Sequence, residues 1–124
     1  MIDIINDIVS TVASIEEVGG RAYRRWPKKD LKMPAVLVSH IGRYPVQTDE
    51  DGSEVQMDLA YSIDINARDQ ETADRVTEKV VNALARYNMH TTGHTDFYDD
   101  NLRVYRAIIT VSGVVDRRGN TFTH

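Results

Sequence analysis

The run Glu54–Ala67 constrains this chain most. Val55, Met57, Leu59, Tyr61, Ile63 and Ile65 alternate with Gln56, Asp58, Ala60, Ser62, Asp64 and Asn66. A period of two marks a strand with one apolar face and one wet face. At about 3.3 Å per residue the run spans roughly 40 Å, about twice the usual strand. A second run, Ala35–Ile41, precedes it across the acidic turn Asp49-Glu50-Asp51-Gly52-Ser53. Asp-Gly between apolar runs is a hairpin signal. The pair therefore predicts a long hairpin that projects from a small body. Pro45 lacks the ladder donor, which makes the distal first arm irregular or an edge.

Two amphipathic helices accompany the hairpin. Ile4, Ile5, Ile8, Val12 and Ile15 fall at helical spacing and predict a helix over residues 3–17, capped by Asp3 and stopped by Gly19-Gly20. Ala73, Val76, Val80, Leu84 and Tyr87 form the stripe of a second helix over residues 70–87, with Val81 beside it, Asp69 as cap and Asn88 as stop. Arg21–Trp26 reads as a short strand ended by Pro27. Residues 89–100 read as a polar loop or weak strand, and Leu102–Val115 as a central strand. Tyr61 and Tyr105 fall at strand centres, as core or sheet-face residues. The order α-β-β-β-α-β-β predicts an α+β fold. A mainly antiparallel sheet carries both helices on one face, because a sheet face is the partner available to both apolar stripes. Residues 1–116 form one domain in this reading, with 117–124 as a mobile polar tail.

A chain of 124 residues, 41% hydrophobic and 27% charged, suits one packed domain. It contains no cysteine, which removes disulfides, thiolate catalysis and cysteine-ligated zinc. No apolar run approaches the ~20 residues of a membrane span, and the acidic N-terminus is unlike a secretory signal. The net charge of -4 disfavours tight nucleic-acid binding over the whole surface.

The search for chemistry yields little. His90, His94 and Asp96 carry donor types that zinc or iron accepts, but Thr91-Thr92-Gly93 disfavours the helix that would bring both rings to one side. No serine lies in a G-x-S-x-G elbow, and Gly19-Gly20 lacks the surroundings of a phosphate loop. Asp49, Glu50 and Asp51 lack the ligand spacing of a calcium loop. The expectation is no catalytic residue, no metal and no cofactor. The hairpin arm, with Tyr44, Pro45, Val46 and Val55 beside the acidic tip, is instead the candidate contact surface. Arg24, Arg25 and Lys28 are its candidate counterpart on a neighbouring copy.

Several segments carry a family resemblance when taken in order. After the first helix come a strand ending at Pro27, the strand opening Pro34-Ala35-Val36 and the Asp49-Glu50-Asp51-Gly52 turn. The runs YSIDINA (61–67), ADRVTEKVVNAL (73–84) and YRAIITVSG (105–113) follow. From Ile2 to Val115 the chain resembles the tail terminator, or tail-completion, proteins of long-tailed bacteriophages and related head-tail joining proteins. The resemblance implies a homo-oligomeric, hexameric ring that caps the tail tube and meets the head connector. It implies a virion location after assembly in the host cytoplasm, with DNA as non-specific cargo through the lumen, and no membrane. A small α+β ligand-binding or regulatory module is the alternative expectation. It requires a pocket lined by convergent polar groups.

Overall fold

A computed structural model describes residues 3–28, 31–48, 54–116 and 121–122. In chain order the elements are α1 (Ile5–Ala13), β1 (Ala22–Tyr23), β2 (Ala35–Thr48), β3 (Glu54–Ala67), α2 (Gln70–Ala85), β4 (His90–Asp99), β5 (Val104–Asp116) and β6 (Thr121–Phe122). The sheet order is β1-β2-β3-β5-β4, with β6 pairing β5. Among the described residues only β1 and β2 pair in parallel. The fold is α+β, and the sheet is open.

The alternation in β3 builds the core. Met57, Leu59, Tyr61, Ile63 and Ile65 are buried, as are Val36 and Val38 on β2 and Ala107, Ile109 and Val111 on β5. Facing residues of a ladder share one side of the sheet, so Val36–Ile65–Ala107 and Val38–Ile63–Ile109 are continuous apolar rungs. Ile5, Ile8 and Val12 of α1 and Val76, Val80 and Leu84 of α2 belong to the same core cluster. Both helices therefore lie on this face. Its reverse carries Ser39, Ala60, Ser62, Asp64, Asn66, Arg106, Ile108, Thr110 and Ser112.

Several boundaries differ from the sequence expectation. The α1 helix ends at Ala13, where the Ser14 hydroxyl turns back to the Thr11 carbonyl. Turns carry the chain on to Gly19 and Gly20, both at positive φ, and still bury Ile15 and Val18. The expected strand 21–26 reduces to Ala22–Tyr23, because only there does the chain run along β2. Asp69 caps α2 through the Thr72 N–H at 2.8 Å, and Asn88 stops the segment at φ 59°. Tyr87 leaves the expected stripe for the surface because the helix already ends at Ala85. Residues 90–99 form a full strand whose polar composition reflects its place at the sheet edge. Residues 121–122 pair with Val114 and Val115.

The hairpin strands are 14 residues each. The ladder between them is irregular at His40/Gly42, Pro45/Gln47 and Gln47/Thr48. Strand β5 accompanies β3 as far as the Gln56–Asp116 pair. The second arm is thus flanked on both sides from Gln56 to Asn66, and of its described residues Glu54 and Val55 lie past the end of β5.

Candidate interaction surface

Two sheet edges are unpaired among the described residues. One is the outer edge of β4, paired only with β5. Eight of its ten residues are exposed, and Gly93 and Asp99 are half-buried. The other is β2 beyond β1, which covers β2 only at Val36 and Leu37. Beyond Leu37 no described strand pairs with that edge. An unpaired edge presents a row of backbone donors and acceptors to a partner strand. Exposed apolar side chains flank both edges: Ile41 (54%) and Tyr44 (72%) on β2, and Phe97 (40%) and Tyr98 on β4.

Of the residues singled out from sequence, Tyr44, Arg24, Arg25 and Lys28 are exposed. Pro45 and Val46 lie on β2 and Val55 on β3. Asp49, Glu50 and Asp51 lie outside the described residues. Tyr23, next to Arg24, pairs with Leu37, and Tyr44 stands seven residues farther along β2, about 23 Å at strand rise.

The pleat separates the two histidines weighed as metal donors. His94 faces Ile109 and His90 faces Ser112, so the two rings lie on opposite sides of β4. His94 Nε2 pairs with Asp96 Oδ1 at 2.8 Å instead. No group of three or more potential metal ligands converges among the described residues.

The reverse face holds an ionic cluster that sequence reasoning overlooked. Arg106 of β5 binds both carboxylate oxygens of Asp64 on β3 and Asp99 Oδ2 on β4 at 3.1 Å. Its guanidinium also sits 5.2 Å from the Phe97 ring centroid, a cation–π distance. The hydrogen bonds to Asp64, joined by those to Asp99, hold the guanidinium even more firmly protonated than usual, against the opposing effect of burial. The Asn66 amide adds a bond to Asp64 Oδ1 at 3.0 Å. The signal available in sequence was one arginine and one aspartate, both on wet faces of strands rich in apolar residues.

On the helix face, Asp3 ties three elements together. It accepts from the Tyr61 hydroxyl at 2.8 Å and the Ile5 N–H at 3.0 Å, and pairs with His40 Nε2 at 2.9 Å. Burial pushes the Asp3 carboxyl up, but these bonds outweigh it and the net shift is downward. Burial pushes the Tyr61 hydroxyl far up, so it stays protonated and serves as a structural donor. A cleft of about 250 Å³ lies between α1 and the end of α2, lined by Ile4, Asp7, Ile8, Leu84, Tyr87 and Met89 among others. Of its lining side chains only Asp7 is charged, and shallower, more open hollows of about 610 and 340 Å³ lie beside Arg86 and beside His94.

No family model matches the chain. No curated protein matches it either.

Proposed function

We propose that this chain is a structural subunit that assembles with copies of itself into a ring. The ring caps a phage tail tube, stops its growth and offers a surface to the head connector. DNA crosses the lumen as non-specific cargo. The observation that carries this reading is a sheet left open at both edges, with exposed apolar side chains at each. An exposed edge is a liability for a lone monomer and an asset for a subunit. The candidate chemistry points the same way. The His94–Asp96 pair stands apart from His90, and Arg106 is held by Asp64 and Asp99, so these charged groups at the clefts beside β4 are engaged with one another. The ring, the cap and the lack of catalysis rest further on the resemblance of the 61–67, 73–84 and 105–113 runs to tail terminators.

The test is to add the purified chain to a tail-tube protein as it polymerises, the tube protein being taken from the gene neighbouring that of this chain. Electron microscopy should show tubes ending in a ring, with growth arrested at the capped end. Tubes that lengthen unchanged and carry no terminal density would overturn the proposal.

A further inference from the structure

We propose that the outer edge of β4 pairs antiparallel with the free stretch of β2 on a second copy of this chain, head to tail. The inference deepens the ring reading and rests on it.

Strand direction comes first. The β2–β3, β3–β5 and β5–β4 pairs are all antiparallel, so β4 runs opposite to β2. Copies in a cyclic ring keep one orientation along the axis. The β4 edge of one copy therefore meets the β2 edge of the next in the antiparallel sense. That is the favoured ladder.

Register follows from what blocks the edge. Strand β1 occupies β2 at Val36 and Leu37. Asp99 lies on the reverse face of the sheet, and a paired residue must share its face. The first free position on that face is Ser39. Setting Asp99 opposite Ser39 places Tyr98 against His40 and Phe97 against Ile41. Ile41, Phe97 and Tyr98 are three of the exposed large hydrophobic residues of the described chain, and this register covers Phe97 with Ile41 on the reverse face and Tyr98 with His40 on the helix face. In its own sheet Phe97 shares a rung with Arg106, Asn66 and Ala35. Moving to Ile41 is an offset of about 20 Å along the strand, the kind of stagger that closing a sheet requires.

Charge agrees with this placement. The C-terminal end of β4 carries Asp96, Asp99 and Asp100, and the segment leaving β1 carries exposed Arg24, Arg25 and Lys28. The proposed register sets the acidic end of one copy beside the basic segment of the next. Asp99 is already engaged with Arg106, which leaves exposed Asp100 as the main partner for Arg24 and Arg25. The ladder irregularity at His40/Gly42 breaks the face match beyond Ile41, so the acceptor stretch is Val38–Ile41.

The chain has no cysteine, so disulfide trapping reads the contact directly. Facing residues of an antiparallel pair have Cα atoms about 4.5–5.5 Å apart, within disulfide reach. Ile41→Cys and Phe97→Cys are purified separately, mixed and oxidised. The expected major product is a cross-linked pair containing one of each. The double variant should give a ladder that stops at the ring. A mixture of Arg24→Glu/Arg25→Glu/Ile41→Cys with Phe97→Cys should lose the cross-link several-fold, and Asp100→Lys on the second chain should restore it. Self-linked Phe97→Cys or Thr95→Cys as the main product would mean two β4 edges pair symmetrically, and would overturn the proposal. Absence of the mixed cross-link, in assembled or monomeric protein, would also overturn it. The assay needs no tail tube. Capped tubes without the cross-link remove the edge pairing alone, and the cross-link without capped tubes removes the tail-cap reading alone.

Discussion

Gly113 of β5 lies directly beneath Asn88, in the turn that follows α2. A Cβ built on Gly113 would stand 2.8 Å from the Asn88 carbonyl oxygen and 2.6 Å from Met89 Sδ. Only hydrogen fits between the strand and the returning chain. This contact lets Met89 turn into the core, where it is almost fully buried, and launches β4 along β5.

Gly113→Ala should therefore destabilise the fold by about 1–3 kcal/mol, because the obstruction includes backbone as well as a flexible side chain. Chemical denaturation measures it. An unchanged midpoint would show that the 88–89 turn shifts freely.

Leu84 is buried at the end of α2, in one core cluster with Ile63 and Ile109. Leu84→Ala should cost about 2–5 kcal/mol. A thermal melt tests this. Tyr87→Ala, at the exposed position of the expected stripe, should change stability by no more than about 0.5 kcal/mol.

Arg106→Met should cost about 1–3 kcal/mol, since it strips a half-buried pair of carboxylates of their donor. Adding Asp64→Asn should recover part of the loss, because the orphaned charge is then gone. A double-mutant cycle gives the coupling, and purely additive effects would show that the cluster is screened by solvent.

Asp3 has a folded-state acidity below its ordinary value near 3.8. A depressed carboxyl contributes stability that is fully present above its unfolded pKa and is lost as pH falls through the lower folded value. Asp3→Asn should thus lower the melting temperature at pH 7, and the gap to the parent should narrow as the pH falls below about 4. A gap that stays constant down to low pH would assign the effect to shape alone.

The elements most legible in the sequence were those with the cleanest periods. The alternation in Glu54–Ala67 and the stripe Ala73–Leu84 located β3 and α2 because burial on one face imposes those periods. Strand β4 was hard to read because its residues are exposed on both faces, so neither period is selected. Strand β1 is two residues long and held by its neighbour rather than by its own composition. The Arg106–Asp64–Asp99 cluster joins residues 35 or more positions apart in two of its three pairs, and no local pattern announces it. Tyr44, Arg24, Arg25 and Lys28 were legible as surface residues, but their separation along β2 depends on the β1–β2 register.

Strand β4 is held from one side only, and this has a kinetic signature. Successive amide N–H groups along a strand point to alternate sides. Those aimed at β5 should exchange with deuterium slowly, and those aimed outward should exchange quickly, giving a two-residue protection rhythm from Gly93 to Asp99. When a second strand seats against that edge, the fast half should slow down. The alternation would fade, so a solvent-exchange spectrum can distinguish a free subunit from one already built into its assembly.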